Sequence, residues 1–283
     1  VLTTFVIGLR EGLEAALIVG IIAAFVIQRG QRHALIPMWI GVGAAVGLSA
    51  GAAVALDLAG QAMSTTARET MEGLLALLAV AGITYMIVWM RRNGPSLRSD
   101  LEHRTGAALA TGSAVAIVAM AFISVLREGL ETAVFLLATF QTTRSTTAAV
   151  VGAIAGIALA VGIGYGIFRG GVHLDLRRFF RVTSAVLVVV AAGLLSAGVH
   201  SLAEAGLISV LQGSAVDLSW LIAPGTIRSS VLTAFLGLQP VPTTAEVLVW
   251  LAYAVPMLAY VLRPSRPPSP PAVVPSVNGD VAV

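Results

Sequence analysis

Apolar residues run along this chain in long blocks separated by short polar stretches. Seven blocks lie near residues 3–27, 35–57, 70–90, 109–140, 147–168, 182–203 and 246–262. About 20 predominantly apolar residues suffice to cross a bilayer as a helix, so each block predicts one span. The fourth is over-long. Its first part, around Gly106 to Val118, is read as an interfacial piece or a tilted turn. The seventh is short. Residues 204–245 stay apolar but contain Trp220, Pro224, Gly225, Gly237, Pro240 and Pro242. They are expected to fold back on the bundle as short or re-entrant helices. From residue 264 onward, six of the twelve prolines cluster with Ser, Asn and Gly, the pattern of a disordered tail. The predicted fold is an all-α membrane protein of about seven transmembrane helices.

Composition agrees: 57% of residues are hydrophobic, 11% are charged, and the mean hydropathy is +0.93. All 17 basic residues are arginine. Without lysine there is no P-loop ATPase and no retinal Schiff base. Without cysteine there is no thiolate metal site and no disulfide. A pI near 9.9 would fit nucleic-acid binding, but the arginines fall in short loops between spans, where they set topology. No nucleic-acid partner is expected. The first block lacks a basic leader region and carries charges of its own, so it is read as a retained helix.

Arginine also gives the orientation. Loops after the first, third and fifth spans, together with the tail, hold 12 arginines, against 3 on the opposite side (Arg68, Arg144 and Arg228). The rich side is expected to be cytoplasmic, with the N-terminus out and the C-terminus in. The outer side carries Asp57, Glu69, Glu72, Glu204, Asp217 and Glu246, an acidic vestibule suited to cations.

Two spans break the apolar rule in the same way. Leu9-Arg10-Glu11-Gly12-Leu13-Glu14 returns 117 residues later as Leu126-Arg127-Glu128-Gly129-Leu130-Glu131. Three spans separate the copies, counting the first, so the second copy runs through the membrane the opposite way. Residues 3–90 and 106–203 are therefore expected to be inverted three-helix repeats, with the seventh span added. At 1.5 Å per residue both copies lie roughly 12–20 Å from the outer surface.

An ionisable side chain at mid-membrane costs roughly 2.5–3.5 kcal/mol on insertion scales, and such residues mark transport sites. Glutamates at i and i+3 share one helix face. The glycine between them admits a close neighbour. Carboxylate oxygens are hard donors suited to hard cations. Four glutamates and two arginines sum to −2, which calls for a cation or for protons. Arg10 and Arg127 either pair with these glutamates until a cation arrives or hold neighbouring carbonyls. Glu69 and Glu72 form another i, i+3 pair at the outer start of the third span. Glu204 lies four residues after His200 at the outer end of the sixth. These four are candidates for the access route. Glu246, where the seventh span begins, reads as a helix cap. His33, His103 and His173 lie in cytoplasmic loops.

The duplicated R-E-G-L-E resembles that of the oxidase-dependent iron permease family, which includes fungal high-affinity iron permeases and bacterial EfeU-type transporters. Met38-Trp39-Ile40-Gly41-Val42, Glu72-Gly73, Trp89-Met90-Arg91, Glu204-Ala205-Gly206-Leu207, and Glu246-Val247 with Trp250 extend the similarity to about residue 262. The resemblance implies iron as cargo, Glu11, Glu14, Glu128 and Glu131 as its ligands, and Arg10 and Arg127 as motif members. It also implies an outer ferroxidase, cupredoxin-like protein or haem peroxidase as partner. Bacterial relatives often place a histidine just before the E-A-G-L glutamate, where this chain has Ala203.

The expectation is a multi-pass permease of the cytoplasmic membrane that imports Fe³⁺ and holds no permanent cofactor. Alternatives are a permease for Fe²⁺, Mn²⁺ or Pb²⁺, or a seven-helix receptor. No H-E-x-x-H motif marks an intramembrane enzyme.

Overall fold

The computed structural model describes residues 1–61, 63–93, 97–110, 113–141, 146–170, 175–211, 213–215 and 241–263. The helices are α1 (Leu2–Gln28), α2 (Leu35–Gln61), α3 (Thr65–Asn93), α4 (Leu97–Ala110), α5 (Ala114–Gln141), α6 (Thr146–Phe168), α7 (Leu176–Glu204) and α8 (Thr244–Leu262). No β-strand occurs among the described residues; a lone bridge joins Ser214 to Thr243. Among the described residues, six helices are long and apolar enough to cross a membrane: α1, α2, α3, α6, α7 and α8. The helix α5 is equally long, at 28 residues, but carries Arg127, Glu128 and Glu131 near its middle. Buried hydroxyls of Ser49, Thr105 and Thr139 donate to the carbonyl one turn back. That satisfies them in surroundings that offer no water. Ile36, Trp39, Ile40, Val151, Ile154 and Val161 are all more than half exposed. So broad an apolar surface fits lipid and would be a liability in water.

Two sequence expectations change. The long fourth block is not one helix. Residues 109–110 end α4, and α5 starts at Ala114. At 14 residues α4 is too short to span. Its buried positions Leu101, Thr105, Ala108 and Leu109 form one helical face. That face joins Ile22 and Val26 of α1, Met38 of α2, and Ile117 and Ala121 of α5 in a shared core. Turn-forming residues, Thr111-Gly112-Ser113, separate the two helices in sequence. The second change concerns span two. Gly43, Gly47 and Gly51, four apart, suggest a helix-packing stripe, yet nothing packs within 4 Å of them. The packed stripe is Gly41, Ala45 and Ser49, on another face of α2. On α6 the similarly spaced pair Gly152 and Gly156 does pack, against α1. Most of the expected re-entrant stretch (216–240) and the tail (264–283) lie outside the described residues. Residues on either side of that stretch meet: Ala215 donates to the Pro242 carbonyl and Thr244 to the Gly213 carbonyl.

Close glycine contacts fix helix register and direction. Gly8 of α1 lies against Ala153 of α6, Gly12 against Ile157 and Ala160, and Ala16 against Gly164. Residue numbers rise together, so α1 and α6 run parallel. Gly41 of α2 meets Val118 and Phe122 of α5, and Gly129 of α5 meets Ser49 of α2. These two helices are also parallel. Gly73 of α3 meets Leu202 of α7, and Gly198 of α7 meets Ala76 and Leu77 of α3. This pair is antiparallel. Residues 29–34 suffice only to turn the chain back between α1 and α2, so α5 runs opposite to α1. Exchanging α1 with α5, α2 with α6 and α3 with α7 maps three of these contacts onto others. Gly41 on Val118 becomes Gly152 on Val1, Gly12 on Ala160 becomes Gly129 on Ser49, and Gly73 on Leu202 becomes Gly198 on Leu77.

Candidate metal centre

Each motif glycine lies at a close contact with another helix. A Cβ on Gly12 would stand 2.9 Å from the Ala160 methyl, and one on Gly129 would strike the Ser49 side chain. The motif glycines therefore allow α6 and α2 to approach. Glu11 of α1 meets Glu128 and Glu131 of α5 across the bundle.

Glu11, Glu128 and Glu131 each place a carboxylate oxygen so that all three lie within 4.8 Å of one another. Oxygens on opposite sides of a first-row ion with ~2.1 Å bonds are about 4.2 Å apart, so the trio needs only slight closure. Glu11 and Glu128 are buried and Glu131 is half-buried. Both Glu11 oxygens, Oε2 of Glu128 and Oε2 of Glu131 have no hydrogen-bond partner. Buried carboxylate oxygens are costly unless something satisfies them, and three converging ones match a hard cation.

Glu14 stands apart from the trio. Its Oε1 accepts from Arg10 Nε at 3.2 Å, and both residues are buried. Arg127 Nε donates to Glu131 Oε1 at 3.0 Å and lies 4.0 Å from Glu128 Oε1. The two arginines differ in setting. Arg10 is fully buried, and its Nη1 and Nη2 have no partner. The Arg127 side chain is 42% exposed and lies over the Trp89 ring at 5.0 Å. Because α1 and α5 run oppositely, the arginines flank the carboxylates from opposite sides of the bundle.

That contrast gives a first expectation. Arg10→Ala leaves Glu14 buried without its partner, a loss worth about 3–5 kcal/mol for a broken buried pair. Arg127→Ala removes a partly exposed pair and should cost clearly less. Melting curves of the two purified variants, compared with wild type, check this order.

Of the access candidates, Glu72 pairs with Arg68 at 2.8 Å in the first turns of α3, and Glu69 is half-buried beside it. His200 does not stand alone. Its Nε2 lies 3.3 Å from Glu204 Oε1 and its Nδ1 lies 3.0 Å from Glu246 Oε1. Glu246 is only 2% exposed, so it is more than a cap. Sequence reading missed its role because the partner lies 46 positions away on another helix. Below Glu14, a cavity of about 280 Å³ opens between α1, α4 and α6, lined by Leu17, Gly20, Gln28, Glu102 and Gly164 among others.

Comparison with known proteins gives the family. The family model "Iron permease FTR1 family" matches residues 1–265. A protein named ferrous iron permease EfeU from Escherichia coli O6:K15:H31 is 38% identical over 264 residues, covering 92% of this chain and 95% of the relative. Its namesake from Shigella sonnei is 37% identical over 265 residues (93% and 95% covered). The one from Yersinia pestis is 37% identical over 266 residues, with 93% of each chain covered. No solved structure matches the chain. With its whole helical bundle inside that match, the chain belongs to the iron permease FTR1 family.

Proposed function

We propose that this chain imports iron across the cytoplasmic membrane through the carboxylates of its two R-E-G-L-E motifs. The observation that carries this reading is the convergence of Glu11, Glu128 and Glu131 from oppositely directed helices. In this reading α5 is the seventh span, the N-terminus faces out and the C-terminus in. Helices α1–α3 and α5–α7 are inverted repeats, and the exchange of packing pairs supports that assignment. Such repeats place a site near midplane, open to each side in turn. Glu14 becomes a fourth ligand when Arg10 releases it. Glu69 and Glu72 lie on the outer approach. The cavity beneath Glu14, with Glu102 at its wall, lies on the inward exit.

The transported form we propose is Fe²⁺, because the relatives carry the name ferrous iron permease. The sequence favours Fe³⁺, and a second reading keeps it: the trio is all oxygen, the donor type that suits the harder ion. In that reading an outer ferroxidase or peroxidase supplies the ion. Uptake of ⁵⁵Fe into proteoliposomes holding this chain separates the two. Ascorbate-reduced Fe²⁺ should accumulate and saturate, with Fe³⁺ citrate left outside. The reverse preference rejects the Fe²⁺ reading. Absence of uptake from either form, with or without added ferroxidase, rejects the permease reading. Mn²⁺ and Pb²⁺ in excess test whether iron is preferred.

A further inference from the structure

A second cluster of metal-binding groups lies away from the trio, where α7 ends and α8 begins. His200 is in the last turns of α7, Glu204 is one turn on, and Glu246 is in the first turn of α8. The three form a line from buried to open: Glu246 side chain 3% exposed, His200 32%, Glu204 55%. Glu246 holds Nδ1 of the imidazole, and Nε2 is turned toward Glu204 on the open side. A buried carboxylate on one ring nitrogen, with the other nitrogen presented outward, is the arrangement that orients metal-ligating histidines.

The start of α8 is well held. Thr243 accepts from the Glu246 amide, Thr244 donates to the Gly213 carbonyl, and Ala245 donates to the Leu211 carbonyl. The carboxylate behind the ring is thus fixed by backbone. Helix α3 brings more acid to the same level, because Gly73 packs on Gly198 and Leu202. Glu69 and the Arg68–Glu72 pair therefore lie at about the level of the cluster along the helices. The trio lies deeper. Gly82 of α3 meets Phe135, one turn beyond Glu131 on α5. The roughly nine residues of α3 from Gly73 to Gly82 correspond to about 13 Å. The cluster is a separate station on the outer side.

We propose that His200 Nε2 and Glu204 form an outer binding site for a first-row divalent cation, with Glu246 as its positioning residue. Coordination replaces the Nε2–Glu204 contact with one bond from each group to the ion. Any proton on Nε2 leaves to water, and water fills the remaining positions. Imidazole suits Fe²⁺, Co²⁺ and Zn²⁺, whereas Mg²⁺ and Ca²⁺ prefer oxygen alone. The site would therefore select a transition metal before the all-oxygen trio receives it. That sequence rests on the permease reading; the binding itself does not.

Co²⁺ titration of the full chain in nanodiscs, by calorimetry in excess Mg²⁺, tests this. Wild type should show two classes of site. His200→Asn, which keeps a donor toward Glu246 but lacks the second ring nitrogen, should lose one class. Glu128→Gln should lose the other. Glu246→Gln should weaken the His200 class by about 10–100-fold, the usual effect of removing such a supporting group. A Co²⁺ isotherm unchanged in both His200→Asn and His200→Ala overturns the proposal, whatever their melting temperatures, and leaves a helix-to-helix tie only. A wild type that shows the His200 class but no class dependent on Glu128 would count against the permease reading and not against this site.

Discussion

Glu128→Gln should lower iron uptake by more than about ten-fold while leaving the protein at least as stable, because removing a direct ligand should cost no less than removing a supporting one. Glu128 is buried, its Oε2 has no partner, and its Oε1 is 4.0 Å from Arg127. It contributes little to holding the bundle together. A neutral isostere removes a buried charge and so relieves a cost of folding. Function and stability should then move in opposite directions, as expected where a site is built at the expense of stability. Glu14→Gln should behave differently. Glu14 is bonded to Arg10, so the substitution strands a buried guanidinium and lowers the melting temperature. Uptake and melting curves for both variants check the contrast. Equal loss of stability in the two would mean that Glu128 is a structural partner.

The second large effect is expected at Gly156. A Cβ there would collide with the Phe5 carbonyl oxygen and stand 2.7 Å from the Leu9 amide nitrogen, both backbone atoms of α1. Neither can swing aside as a side-chain tip would, so α1 must lift away from α6. Overpacking of this kind costs about 1–3 kcal/mol, and the larger Gly156→Val should exceed the alanine change. The damage extends to function, because the lifted segment leads directly into Arg10, Glu11 and Glu14. Gly47→Ala is the control, since nothing lies within 4 Å of that position. Thermal unfolding followed by fluorescence size-exclusion chromatography reads both. Wild-type stability in Gly156→Ala would show that α1 and α6 are not packed in this register.

Sequence carried the motif and the helices far, for a physical reason. Charges inside apolar blocks are rare enough to stand out, and R-E-G-L-E occurs twice. The division of labour among its residues was not legible. Sequence made Glu14 equal to Glu11, yet Glu14 spends both position and charge on Arg10. Helical periodicity placed the glutamates on one face but says nothing about rotamers. The over-long fourth block pointed to an irregular piece at 106–118, but the stretch stays largely apolar on both sides of the break between α4 and α5, so its position was not legible. The glycine stripe on α2 was misassigned because spacing of four marks any face, and only the partner helix decides which one packs. Glu246 was hidden for a different reason. A glutamate in a helix's first turn is ordinary capping chemistry, and its link to His200 exists only in three dimensions.

The measurement that bears most directly on the central claim is anomalous diffraction at the iron edge, from crystals of the full chain loaded with Fe²⁺ under reductant. The account expects a peak within bonding distance of Glu11, Glu128 and Glu131, absent from crystals of Glu128→Gln. Iron bound elsewhere with no peak among these carboxylates, or an unchanged peak in Glu128→Gln, would contradict it.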